Sequence, residues 1–383
     1  DEASLRSAIE TANTDSSIET IVFAKKTLIA LSAPLIYSGV QPLTLIGNGA
    51  VIDGSSAGGF ILDDDLTAKT EDGTLVFNTA APLNIRNLSV LNSATRGIVV
   101  NIPQGASGAD MSVTLKQVTV ANSALYGLHI DDNADAFDEG QSGSAVGVEL
   151  HVLLSSFTEN GTGAIDFDGV RVDERGPGDI TAFFYRTHID ANGGDGMELD
   201  EAGEGDVVAN LFRVTLNDNG YYNAADLDDG FDIDEAGEGH VKLTLNHVKI
   251  SGNLDEGLDV DEAGEGDVDL WLRNVKALDN ADEGVKVDEE DAGDINADIV
   301  RLAVKRSGDD GIQFTELGEG KIDASLRRVQ VFDSAKSGIK FEQWVEEDED
   351  ATAEPSGDLR LNRIRLIGNE TSDEPKLNNI VVR

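Results

Sequence analysis

The chain has 383 residues and no cysteine, and 73 acidic against 29 basic side chains leave a formal net charge of −44. Nucleic acid and anionic membranes are disfavoured as partners because both need clustered Lys and Arg, and a disulfide framework or thiolate metal site is excluded. A hydrophobic content of 40% is too high for a disordered acidic tail and sufficient for a long core.

No apolar run approaches the roughly 18 residues of a membrane-spanning helix. No basic, apolar leader opens the chain, so any export signal is expected to have been removed or to lie outside this sequence.

Leu5, Ala8, Ile9 and Ala12 share one helical face, with Ser4 placed to cap it. Residues 1–24 therefore read as an amino-terminal cap whose short helix covers the exposed strand edge of the first coil. Residues 25–340 read as coils. Leu83 to Val90 leads to Gly97-Ile98-Val99-Val100, and Val113 to Val120 leads to Gly127-Leu128-His129-Ile130. An insertion near 131–147 stretches the next coil, where Gly163 and Gly169 compete as its leading glycine.

From Asp195 the sequence repeats itself. Asp195-Gly196-Met197-Glu198-Leu199-Asp200-Glu201 recurs as Asp229-Gly230-Phe231-Asp232-Ile233-Asp234-Glu235 and as Glu256-Gly257-Leu258-Asp259-Val260-Asp261-Glu262. Leading glycines at Gly257, Gly284, Gly311 and Gly338 define a period of ~27 residues, and a seven-residue insertion around Tyr221 and Tyr222 lengthens one step. A fixed period of this size indicates a solenoid. In the coil from Gly257, Leu258 to Asp261, Val268 to Leu272 and Val275 to Leu278 alternate like half-buried strands, with Gly-rich or polar corners between them. Three short strands per turn and no helical period predict an all-β parallel β-helix forming one domain over 1–383. Residues 341–383 are its last coils, swollen by an acidic loop at 342–357.

Ser4-Leu5-Arg6-Ser7-Ala8-Ile9, followed by Ile18 to Phe23, resembles the amino-terminal cap of exported bacterial right-handed β-helix proteins, where Cys-Ser-Leu-Arg-Glu-Ala-Ile is common. Here Ala3 stands in place of that Cys and Ser7 in place of Glu. The Asn-aliphatic and Gly-aliphatic phrases resemble the pectin-lyase-like superfamily, a resemblance covering nearly the whole chain. It implies a right-handed coil and an exported, secreted or cell-surface location. Asn87 and Asn274 resemble that family's stacked asparagines, although Arg186, Arg213, His247, Arg301 and Arg328 share their corner and point to a solvent-facing one. The fold hosts lyases, hydrolases, epimerases and adhesins alike, so it implies no single activity.

The residues after each leading glycine form columns. The second is Arg171, Glu198, Asp232, Asp259, Lys286 and Gln313; the fourth is Asp173, Asp200, Asp234, Asp261, Asp288 and Thr315; the fifth runs from Glu174 to Glu316. In-register stacking brings like charges about 4.8 Å apart, where they repel by about 0.9 kcal/mol even at the dielectric constant of water. Calcium, with six to eight oxygen ligands, would relieve this. The expected ligands are Asp200, Asp232, Asp234, Asp259, Asp261 and Asp288, with Glu235 and Glu262 flanking. A solvation-only, halophilic role for the acid face is the competing explanation.

Lys286, and less so Arg171, are the candidates for a catalytic base by analogy with calcium-dependent lyases. A base needs a lowered pKa, and a lysine among acids should have the reverse. Tyr222 and Trp344 are candidate ligand contacts, while Trp271, inside a strand, is expected in the core. The first expectation for function is a non-catalytic, calcium-binding adhesive or matrix protein whose partners are divalent cations and surface glycans. The second is a calcium-dependent polysaccharide lyase or glycoside hydrolase acting on an acidic glycan.

Overall fold

Short segments that alternate apolar and polar residues bury one face and need an edge partner for every backbone N–H and C=O. In the computed structural model, which describes residues 1–64, 66–69, 73–132, 142–221, 227–344 and 357–383, that partner is the equivalent segment one coil away. The result is a parallel β-helix. Twelve of the described strands, from Leu35–Tyr37 to Lys376–Asn378, form one wholly parallel sheet built from the segments that follow the leading glycines. The remaining sides of the coil form a second parallel sheet bent around a corner. Val207–Phe212 and Thr215–Asn217 in one coil stand beside Val241–Asn246 and Lys249–Ser251 in the next, and these pair with the single long strand Val268–Leu278.

Stacking is in register. Met197 to Glu201 pair one to one with Phe231 to Glu235, so identical positions of the repeat lie side by side. The core is a set of columns running along the axis, such as Val207, Val241, Val268, Ile295 and Ile322, each fully buried. Each such side chain contributes about 1.5–3 kcal/mol by leaving water.

The leading glycines are demanded by close approach. A Cβ on Gly257 would lie 2.6 Å from the carbonyl oxygen of Gly284 and 2.3 Å from Asn280 Nδ2. The same test settles the register left open by the sequence. Leu128 pairs with Val170, and a Cβ on Gly127 would meet the Gly169 carbonyl, so Gly169 leads that coil.

Glu2–Thr14 forms the expected capping helix, with Leu5, Ile9 and Ala12 buried against the first coil. Its cap is Asp1, whose Oδ1 accepts from the Ser4 N–H at 2.9 Å, so Ser4 receives the cap instead of providing it. The mixed Arg/Asn corner is solvent-facing. Asn87, Arg186, Arg213, His247, Asn274, Arg301 and Arg328 all turn the chain with φ between 50° and 62°.

The stacked asparagines lie at a different corner, four residues before Gly196, Gly257 and Gly284 and farther ahead of Gly169 and Gly230, where residues are inserted. Asn160, Asn192, Asn219, Asn253 and Asn280 are buried, and the Nδ2 of each of the first four donates to the Oδ1 of the next at 3.0–3.1 Å. Asn87 and Asn274 are therefore corner residues and not members of a ladder.

Trp271 is 47% exposed, contrary to expectation, because the alternation Val268-in, Asp269-out, Leu270-in carries it outward. Glu342, Gln343 and Trp344 still belong to the strand Lys340–Trp344, so the acidic loop begins after them. Residues 345–356, 133–141 of the first insertion, and the candidate ligand contact Tyr222 lie outside the described residues.

Candidate cation-binding groove

Strand alternation sends the second and fourth residues after each leading glycine outward and the first, third and fifth inward. Glu198, Asp232, Asp259 and Lys286 accordingly share one outer column, and Asp200, Asp234, Asp261 and Asp288 the neighbouring one. A third acidic column, not anticipated from the sequence, flanks them. Asp168, Asp195, Asp229, Glu256, Glu283 and Asp310 immediately precede six successive leading glycines and are all buried. The signal was available, since the residue before the glycine is acidic in each of these coils. Asp168 Oδ1 accepts the Asp195 N–H at 2.8 Å, and the Asp195 carboxylate accepts the Asp229 N–H in turn.

Three basic side chains sit within this band. Arg171 reaches Asp173 at 2.7 Å, Asp200 at 3.2 Å and Asp168 at 3.8 Å, and also contacts Glu198. Arg175 adds a second contact to Asp200 at 2.6 Å. Lys286 Nζ lies 2.6 Å from Asp259, 3.3 Å from Glu256, 3.7 Å from Asp288 and 4.0 Å from Asp261. Burial opposes the charge on Arg171 and on Lys286, but the surrounding carboxylates outweigh it and raise both pKa values. Both are therefore held cationic, the opposite of what proton abstraction requires.

The intervening acids are less well compensated. Burial, then mutual repulsion, pushes Asp229 and Asp232 well above the usual carboxylate range. Burial does the same to Asp259 despite its contact with Lys286. Burial and the Asp200 charge raise Asp234, while burial lifts Asp261 to about 6 against the pull of Lys286. Carboxylate oxygens of Asp229, Asp232 and Asp259 lie within 4.8 Å of one another, as do those of Glu198, Asp200 and Asp234. Two ligands of one calcium ion at 2.3–2.6 Å can be no farther apart than about 5 Å, so both groups meet that condition. Asp229 Oδ1, on a residue only 8% exposed, has no hydrogen-bond partner among the described residues. Two further groups, Asp255–Glu256–Asp282 and Asp282–Glu283–Asp309, continue the row along the edge of the groove.

Glu235 and Glu262, expected to flank the aspartates, are on the other side of the strand. The fifth position points inward, and Glu174, Glu201, Glu235, Glu262, Glu289 and Glu316 form a column no more than 1% exposed. Their carboxylates bind backbone N–H groups of their own corners: Glu201 takes Gly203 at 2.8 Å, Glu262 takes Gly266 at 3.1 Å and Glu316 takes Gly320 at 2.8 Å. Burial, joined by Asp132 and Glu201, raises Glu174 to about 10; burial, joined by neighbouring ladder glutamates, raises Glu262 to about 10 and Glu201 and Glu289 to about 8. This inner row is a backbone-capping ladder in which burial favours the protonated form of Glu174, Glu201, Glu262 and Glu289, separate from the outer columns.

Toward the amino terminus the acid columns meet a buried cluster. His129, in line with Arg171, is buried between Arg96 at 2.9 Å and Asp173 at 2.7 Å. Burial lowers its pKa to about 4, so it is neutral. Tyr126 and Phe167 pack over it together with Phe60 and Ala68. At the far end Trp344 is half-buried beside Leu317.

No family model and no curated protein matches this chain. Among solved structures, the enzymatically active domain of tailspike protein 2 of bacteriophage CBA120 is similar at 13% identity and a TM-score of 0.44. That match covers 99% of this chain and 48% of the tailspike chain, so the present chain spans about half its length. The periplasmic alginate epimerase AlgG is similar at 10% identity and a TM-score of 0.32, covering 95% of this chain and 85% of that one. PfbA, a surface adhesin of Streptococcus pneumoniae, is similar at 10% identity and a TM-score of 0.34, covering 86% and 87% of the two chains. Likenesses this distant carry no functional argument; the assignment as a parallel β-helix rests on the in-register strand pairing of the chain itself.

Proposed function

We propose that the chain is an exported, non-catalytic β-helix that binds divalent cations, calcium in particular, along its outer acid columns. The observation that carries this reading is the Asp229–Asp232–Asp259 group. Its oxygens converge within 4.8 Å and, among the described residues, none of the three has an Arg or Lys contact except Asp259, and Asp229 Oδ1 is enclosed without a donor. Enclosed carboxylates at this spacing need either protons or a cation. Calcium suits them better than magnesium because it tolerates irregular oxygen geometry and sheds water more readily.

Three carboxylates leave several of the six to eight positions around calcium for water or for an acidic group of a partner. A loaded groove is thereby an adhesive face for acidic surface glycans or matrix, which fits a secreted or cell-surface location. Thermal unfolding in EGTA, in micromolar calcium and in sodium chloride of matched and of molar strength tests the metal step. A higher midpoint in micromolar calcium that sodium chloride does not reproduce supports it. Equal stabilisation by molar salt, with nothing added by calcium, makes the acid face a solvation device and overturns it.

A further inference from the structure

The outer second-position column is not uniformly acidic. Arg171 and Lys286 bound three acidic rungs, Glu198, Asp232 and Asp259. Lys286 does not form an ordinary ion pair. Its Nζ lies within 4.0 Å of four carboxylates, two of its contacts being 2.6 Å and 3.3 Å, and these come from two adjacent coils. Glu256 and Asp259 are 8% and 6% exposed, and Asp261 Oδ1 and Asp288 Oδ1 are enclosed without a hydrogen-bond partner. Four oxygen donors converging on one positive centre is the environment of a bound metal ion, filled here by an ammonium on a side chain. One coil earlier the column carries Asp259 and two coils earlier Asp232, and there no basic side chain among the described residues takes that place.

We infer that Lys286 is a tethered substitute for a bound cation and that it limits how many divalent ions the groove accepts. This rests on the cation-binding reading of the groove. The ammonium supplies one positive charge at the rung where the acids would otherwise recruit an ion, and its stem fills the space the ion would take. It also draws Asp259 away from the neighbouring Asp229–Asp232–Asp259 group, so it lowers the affinity of that group as well as ending the row.

The test is calcium bound per chain, by equilibrium dialysis with elemental analysis at physiological ionic strength, for the intact protein and four variants. Lys286→Met removes the charge and leaves Glu256, Asp259, Asp261 and Asp288 without a cation. Lys286→Arg retains the charge. Lys242→Met makes the same charge change at a pair with Asp206 on the other sheet. Lys286→Gln, which keeps a polar contact to Asp259, replaces Lys286→Met if that variant does not fold by circular dichroism.

The expected result is one more calcium in Lys286→Met than in the unaltered protein, and no gain in Lys286→Arg or Lys242→Met. If the unaltered protein binds calcium and Lys286→Met binds the same number, the inference is overturned while the groove stands. A gain in Lys242→Met equal to that in Lys286→Met also overturns it, because net charge alone would explain both. If the unaltered protein binds none and Lys286→Met binds one, the substitution role holds and the native metal reading falls. If neither binds calcium, both fall.

Discussion

Glu262→Gln offers the sharpest test of the inner ladder. Burial and the adjacent Glu235 raise the Glu262 carboxyl from 4.5 to about 10, so the folded chain keeps a proton that the unfolded chain releases. Stability from this group is therefore fully present below the unfolded value of 4.5 and is lost as pH rises toward the folded value. The loss proceeds at about 1.4 kcal/mol per pH unit, which between pH 5 and pH 8 is about 4 kcal/mol as a ceiling for one residue. Glutamine cannot titrate and keeps the acceptor that Gly266 N–H uses at 3.1 Å. The chain itself makes this exchange one rung beyond Glu316, where Gln343 Oε1 accepts from Ile322 N–H at 2.9 Å. Urea unfolding of both proteins in EGTA at pH 5, 6, 7 and 8 should show the variant gaining on the parent at each step upward. Glu265→Gln, an exposed corner residue with the same charge change, should show no such trend. A constant difference across the series, or a variant that loses ground as pH rises, would refute the protonated ladder.

Two further outcomes are expected from the same geometry. Asn219→Ala removes the acceptor of Asn192 Nδ2 and the donor to Asn253 Oδ1, both at 3.0 Å and both buried, and should cost about 2–3 kcal/mol in denaturant unfolding; Asn219→Ser, matching the Ser307 and Ser334 rungs, should cost less. Calcium uptake should release protons, since burial holds Asp229 and Asp232 well above the usual range and Asp261 at about 6; calorimetry in buffers of different ionisation enthalpy should detect the release, and affinity should weaken as pH falls through 6.

The sequence by itself determined the β-helix, the length of its coil and the capping helix. All three arise from local patterns: a period of two along each strand, a ~27-residue spacing between leading glycines, and one apolar face over Leu5, Ile9 and Ala12. The outer columns were legible for the same reason, because in-register stacking turns a sequence position into a place on the surface. Strand alternation also carried the placement of Glu262 inward and Trp271 outward. Charge and size suggested the reverse for both residues, and pleat geometry prevailed. Only the tertiary structure decided which polar side chains converge. Lys286 collects Glu256, Asp259, Asp261 and Asp288 because their stems lean across two coils, and Asn192 meets Asn219 because their corner is enclosed. Burial and the direction of a side chain across coils are properties of neighbours a full turn away, and they are what make one acidic column an enclosed, backbone-capping ladder and leave the others on the outer face of the sheet.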